Sequence, residues 1–240
     1  MGRVAVVAYR LVCYLAFLAS FAWLFCFVGD FFLPHTVDRG RAAPLAEALA
    51  VDVGWFVLFS LQHSLMARES FKRRWTRLVP AATERSHYVL ASSLMMGLLF
   101  WQWRPLPAVV WEVASTPWRQ ALVALYLVGW ALLVASSFLI DHFELFGLRD
   151  PVARPLSTPL LYRWVRHPIY VGYFVVFWAT PRMTVGHVLL ATGMSACIAI
   201  GVYFEERDLV RHFGDAYRDY QARVPMLLPF SKRGRKAIRR

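Results

Sequence analysis

Cysteine is scarce in this chain. Cys13, Cys26 and Cys197 are its three cysteines, each lies inside an apolar run, and none has CxxC spacing. That excludes a disulfide framework and a thiolate metal site. His63, His87, His142 and His167 are scattered without HxxxH or HExxH spacing, so no metal-ligand motif is present. There is no P-loop and no GxGxxG following a strand, which removes the commonest phosphate cradles. Internal repeats and low-complexity segments are also missing. Acidic residues are few, with 15 Asp and Glu against 27 Lys and Arg.

Apolar residues are abundant, at 58% of the 240 residues. That is too apolar for an ordinary soluble domain, and several runs approach the ~20 residues a membrane helix needs. The expected fold is all-α, a polytopic integral membrane helical bundle of five to six spans. The spans fall at roughly 5–29, 48–67, 87–103, 119–140, 168–180 and 184–204, read from the apolar periodicity. The N-terminal run lacks a small-residue cleavage site, so it reads as a span and not a signal peptide. The fifth span is short. With "TPRMT" (180–184) as its turn, it pairs with the sixth as a helical hairpin. A cytoplasmic amphipathic helix follows, marked by Tyr217, Tyr220 and Val224.

In a soluble protein a net charge of +12 would suggest nucleic acid. Here the cations sort by topology, and no nucleic-acid partner is expected. With the N-terminus inside, only Arg39, Arg41, Arg104, Arg119 and Arg182 fall outside. The positive-inside rule then puts both termini in the cytoplasm. The basic tail "KRGRKAIRR" (232–240) reads as a segment resting on anionic lipid of the bilayer.

The polar stretches gather at the same cytoplasmic face: "LQHS" (61–64), "ERSHY" (84–88), "DHFELFG" (141–147), "RHPIY" (166–170) and "EERDL" (205–209). In "RHPIYVG", Pro168 pushes His167 out of the α region and suits the first turn of a helix. The free N–H groups of that start suit a carboxylate or phosphate. Gly172 permits close approach of a ligand or of another helix. Taken alone, the stretch fits helix punctuation as well as a site. Glu205 and Glu206 could bind an amine or ribose hydroxyls, although spacing alone favours pairing within their helix.

Asp141, His142 and Glu144 end the fourth span. Ionisable groups at a membrane boundary are a site by default. Adjacent residues do not face each other on a helix, so an Asp141–His142 dyad is not expected. Asp52, Phe56, Phe59 and His63 share a helical stripe, which turns His63 inward as a structural hydrogen-bonder or a second imidazole. "ERSHYVL" offers Glu84, Arg85 and Tyr88, where an ion pair and interfacial anchoring are the plainer roles.

From Arg166 to Pro225, "RHPIYVG", a membrane hairpin and "EERDLVRHFGDAYRDYQARVP" resemble the signature of the isoprenylcysteine carboxyl methyltransferase superfamily: RHPxYxG, a hydrophobic stretch, EE, FGxxYxxY and VP. "LQHSLMAR", "ERSHYVLASSL", "LLFWQWRP" and "DHFELFGL" extend the likeness over nearly the whole chain, to the bacterial membrane methanethiol S-methyltransferases. The resemblance implies S-adenosylmethionine as cofactor and a small thiol as substrate: methanethiol, giving dimethyl sulfide, with hydrogen sulfide as a further acceptor. It marks Arg166, His167, Pro168, Tyr170, Gly172, Glu205 and Glu206 as cofactor-binding. The NnrU proteins share the "QHS" feature.

Methyl transfer to a thiol needs its thiolate, hence a base. His142 is the first candidate and His63 the second, with Asp141, Glu84 or Glu144 orienting the imidazole. A small enclosed acceptor cavity is expected, plugged by aromatics such as Trp101, Trp103 and Phe143. The expected layout is one domain over 1–240, with 1–140 shaping the acceptor site, 141–230 binding cofactor and 231–240 a basic tail. The expected location is a bacterial inner membrane. Competing readings are a methyltransferase for a prenylcysteine carboxylate or lipid, a non-enzymatic NnrU-type membrane protein, and a small transporter. Oligomeric state is not legible.

Overall fold

A computed structural model describes residues 2–229. The basic tail, 231–240, lies outside the described residues, and so does its expected contact with lipid. Helices dominate: α1 (Arg3–Gly29), α2 (Leu45–Met66), α3 (Glu69–Trp75), α4 (Glu84–Gln102), α5 (Thr116–Ile140), α6 (His142–Leu145), α7 (Pro168–Trp178), α8 (Val185–Phe213) and α9 (Asp215–Arg223). A two-stranded antiparallel sheet, β1 (Val109–Glu112) with β2 (Arg182–Thr184), is the only strand structure among the described residues.

The chain is a polytopic helical membrane protein. Four helices are long and apolar enough to cross a bilayer: α1, α2, α5 and α8. Their outward faces remain apolar. On α1, Val4, Val7, Leu11, Leu15 and Leu18 are exposed at helical spacing, a lipid-facing stripe. The fifth expected span is α7, only 11 residues long. At 1.5 Å per residue it covers about 16 Å, half the hydrocarbon thickness. The chain therefore turns back early. The expected turn at 180–184 is in part a strand, with Thr184 paired to Val109 and Arg182 to Glu112.

Two contacts set the geometry around α7. Its closest packing is on α5, where a Cβ added at Gly172 would lie 2.9 Å from the Gly129 carbonyl oxygen and 3.0 Å from the Leu133 amide. Only glycine allows backbones this close. The second contact joins the start of α7 to the chain's far end. The amides of Arg166 and His167 donate to the carbonyls of Pro225 (2.9 Å) and Met226 (3.2 Å).

Helices α1 and α4 run side by side in the same direction. Arg10 donates to the Ala82 carbonyl at one end, and Phe27 stacks on Phe100 at the other, with centroids 4.5 Å apart. The half of the bundle around Phe27, Leu99, Phe100, Trp103 and Val176 is filled core. The other half, nearer the polar stretches, encloses a cavity.

Candidate active site

The cavity measures about 420 Å³, within the range of small-molecule sites. Every main helix contributes: Phe17 and Leu24 from α1, His63 from α2, Tyr88 and Ser92 from α4, Tyr170 from α7 and Glu205 from α8. The segments between α5 and α7 add Phe146, Tyr162 and Arg166.

The two adjacent glutamates separate here. Glu206 is held by the Arg166 guanidinium in a two-pronged pair (2.8 and 2.9 Å), by His167 Nε2 (2.7 Å), by the Tyr217 hydroxyl (2.9 Å) and by the Gln221 amide. Its oxygens are fully engaged, and it does not line the cavity. The pairing within its own helix that spacing favoured is not formed; the partners come from the α7 entry and from α9. Only Arg211 and Asp208 make such an i, i+3 pair. Glu205 does line the cavity. One of its oxygens accepts from the Tyr170 hydroxyl at 2.7 Å, and the other has no protein partner among the described residues.

Arg166 is largely spent on this clamp, since it also donates to the carbonyls of Gln221 and Val224. Free donors at the start of α7 are fewer than a helix terminus usually offers. Pro168 has no N–H, and the Tyr170 and Val171 amides both donate to the His167 carbonyl. The Ile169 amide is left. A second cation faces the cavity instead. Arg85 lines it, uses its Nε on the Leu145 carbonyl (2.9 Å), and makes no ion pair among the described residues. Its guanidinium lies 5.3 Å from the Tyr88 ring centroid.

The two histidine candidates also part. His142 is buried behind the wall. Its Nε2 meets the Tyr14 hydroxyl and its Nδ1 the Ser137 hydroxyl, both at 2.8 Å, while Phe138 stacks on its ring at 4.2 Å. Both ring nitrogens are engaged, and burial lowers its pKa against an opposing push from Asp141. Asp141 does not orient it. At φ 116° Asp141 caps α6 by accepting from the Glu144 amide and pairs with Arg154 at 2.8 Å. Those contacts lower its own pKa. Glu144 also leans on Arg154, and Glu84 makes no side-chain contact with either imidazole. His63 is on the cavity wall, where its Nε2 lies 3.0 Å from the Tyr88 hydroxyl and its Nδ1 3.2 Å from the Ser92 hydroxyl.

Of the residues singled out in sequence, the cavity thus gathers His63, Arg166, His167, Tyr170 and Glu205, together with Phe59, Arg85, Tyr88, Tyr217 and Tyr220. It leaves Glu206, Pro168 and Gly172 behind the wall as supports, with Asp141, His142 and Glu84 off it. Sequence reasoning missed Tyr14, Ser92, Tyr162 and Tyr173. The aromatic plug is different too. Trp101 points outward at 58% exposure, and Trp103 is buried with its indole N–H on the Val37 carbonyl. Phe17, Phe21, Phe59 and Phe146 take that place, and Phe17 stacks on Phe146 at 3.8 Å.

The segment carrying Phe146 is strapped to the start of α4. The Ser86 hydroxyl donates to the Gly147 carbonyl at 2.7 Å. Gly147 has φ +76°, and a Cβ there would meet the Ser86 amide at 2.9 Å, so only glycine fits.

Comparison with known proteins finds clear relatives. The family described as NnrU protein matches residues 53–226. A methanethiol S-methyltransferase of Mycobacterium tuberculosis (strain ATCC 25618 / H37Rv) is 48% identical, over 97% of this chain and 99% of the relative. Methanethiol S-methyltransferase 2 of Bradyrhizobium diazoefficiens is 45% identical, over 95% and 91%. Human nurim is 31% identical, over 72% and 70%. No solved structure matches.

Proposed function

The chain belongs to the NnrU family and, within it, to the methanethiol S-methyltransferases, and from this we infer that it is a thiol S-methyltransferase that converts methanethiol to dimethyl sulfide with S-adenosylmethionine as donor. Hydrogen sulfide, giving methanethiol, is a further acceptor. The observation that carries the reading is the meeting on one cavity of a half-free carboxylate, a guanidinium with no ion pair among the described residues, aromatic walls and the His63 imidazole.

The lining suits the donor's chemistry. Glu205 offers an acceptor for an amine or ribose hydroxyls, Arg85 offers its two terminal NH2 groups for a carboxylate, and the Tyr88 and Tyr170 rings offer faces that favour a cation. When bound, S-adenosylmethionine supplies an electrophilic methyl group whose bonding pair departs with the donor's own sulfur.

The remaining work belongs to this chain. His63 takes the thiol proton: of the two imidazoles on the wall, His167 is bonded to the Glu206 carboxylate, whereas His63 meets only the Tyr88 and Ser92 hydroxyls, which hold its ring in place. A thiol in this cavity is mostly protonated near neutrality, so removing that proton exposes the nucleophile. Positioning and exclusion of water by Phe17, Phe21 and Phe146 supply the rest. The clamp of Glu206 on Arg166 and His167 fixes the wall from which Tyr170 reaches Glu205.

The cation distribution orients the protein with both termini and the cavity mouth in the cytoplasm of a bacterial inner-membrane protein. Residues 1–140 shape the acceptor end of one domain and 141–230 the donor end, to which Arg85 and Tyr88 of α4 also contribute.

The test is direct. Purified protein is incubated with S-adenosylmethionine and methanethiol, and dimethyl sulfide is measured in the headspace. The expected result is turnover that requires both. Donor binding without turnover would point to a carboxylate or lipid acceptor, and absence of donor binding to a non-enzymatic membrane protein.

A further inference from the structure

The cavity is polarised along the bundle axis. Its charged groups, Arg85, Arg166 and Glu205, sit at one end beside His167. Met96, eleven positions beyond Arg85 on α4, lies about 16 Å deeper at helical rise. The register of α1 against α4 brings Leu24 to the same depth, since Trp23 packs 3.7 Å from where a Gly97 Cβ would stand. On α2, Phe59 is one turn deeper than His63, with the two rings stacked at 5.4 Å. Leu24, Phe59 and Met96 all line the cavity. Beneath them lie Phe27, Leu99 and Phe100, each at most 1% exposed.

We propose that Leu24, Phe59 and Met96 form the pocket for the alkyl group of the acceptor thiol, and that this floor sets the longest thiol accepted. The inference rests on the thiol methyltransferase reading above. A thiol has one polar end. His63, Tyr88 and Ser92 are bonded polar groups midway down, with Ser93 and Tyr173 also on the lining, so the sulfur stays level with His63, the proposed base. Its alkyl group turns away from the charged end, where burying it would displace ligands of Glu205 and Arg85. Only the apolar floor remains. The floor cannot retreat to fit a longer chain, because close-packed core lies directly under it. Met96 is the unbranched, adaptable member of the three, which makes it the side chain whose truncation deepens the pocket with least disturbance.

The experiment compares wild type with Met96→Ala and Leu24→Ala. Relative kcat/KM is measured for methanethiol, ethanethiol and 1-propanethiol. Binding of dimethyl, ethyl methyl and methyl propyl sulfide is measured separately by equilibrium dialysis. Wild type is expected to prefer methanethiol, and each truncation to shift the ratio toward 1-propanethiol by roughly tenfold or more, the scale of one methylene in a fitted pocket. The sulfides should shift in the same order. A ratio that moves less than about twofold in both variants, with methanethiol still methylated, overturns the floor and leaves the enzyme reading intact. If wild type methylates no thiol, the enzyme reading fails, and an unshifted order of sulfide binding overturns the floor as well. Met96→Val removes less volume and reads the same ratio should Met96→Ala fail to fold.

Discussion

Glu205 and Glu206 are consecutive residues with opposite duties: Glu205 faces the cavity with one oxygen free of partners among the described residues, whereas Glu206 is saturated by Arg166, His167, Tyr217 and Gln221. The first is placed to meet a ligand and the second to hold the wall.

Glu206→Gln should destabilise the protein without a matching loss of intrinsic binding per folded molecule. It leaves the Arg166 guanidinium, only 10% exposed, without its counter-charge. Breaking such a pair from one side costs about 3–5 kcal/mol. Thermal unfolding in detergent, followed with a binding measurement on the folded fraction, checks this.

Glu205→Gln should do the reverse. Stability changes little, and affinity for S-adenosylmethionine falls about ten- to hundredfold, the range for a lost hydrogen bond to a charged group. Arg85→Ala should weaken the donor similarly, and more for the donor than for an analogue without a carboxylate. Calorimetric titration of both variants separates these effects. Equal affinity in Glu205→Gln and wild type would remove Glu205 from the donor site.

His63→Ala should lower kcat about 10²–10⁴-fold, the usual worth of a positioned base. The deficit should shrink as pH rises and thiolate forms without help. A His63→Ala enzyme with the wild-type pH profile would dismiss His63 as base.

His142 makes a different pH prediction. Burial lowers its pKa in the folded protein, so the unfolded chain binds this proton more readily. Stability from neutral His142 is therefore complete above the unfolded value of about 6.5 and declines as pH falls below it. Unfolding midpoints of wild type and His142→Gln should converge on acidification. Parallel curves from pH 8 to 5 would contradict the assignment.

Gly172→Ala should loosen the contact of α7 with α5, because its Cβ would enter the space of the Gly129 carbonyl. Overpacking of this kind costs about 1–3 kcal/mol. Donor affinity per folded molecule should hold, since Gly172 does not line the cavity. A selective loss of affinity in a stable variant would restore it to the binding site.

Much of this architecture was legible in the chain. His167-Pro168 marked the start of α7 because proline restricts its predecessor and tolerates a first turn. The apolar periodicity placed the long helices. Chemistry within a segment was legible; partnership between segments was not. Nothing in the spacing of Glu206 pointed to Arg166 over Arg211, as the choice is made when α9 packs Tyr217 and Gln221 beside it. The same holds for the proposed base. The sequence put His142 ahead of His63, and their places are separated by Tyr14, supplied from the first helix, and by the turn at Asp141 that leaves His142 off the cavity lining. Gly172 was readable as a close approach, but its partner Gly129 is known only once the helices meet.

The amides of Arg166 and His167 are bonded to the carbonyls of Pro225 and Met226, and Glu206 waits on Tyr217 and Gln221. These residues follow α8 in the chain, so they leave the ribosome after α1, α2, α5, α7 and α8. A nascent chain therefore has its long helices made before the partners of Arg166 and Glu206 exist, and under the proposed function a translation product cut short after α8 lacks a complete donor wall. The wall is finished from behind, by a segment that lies after the helices it braces.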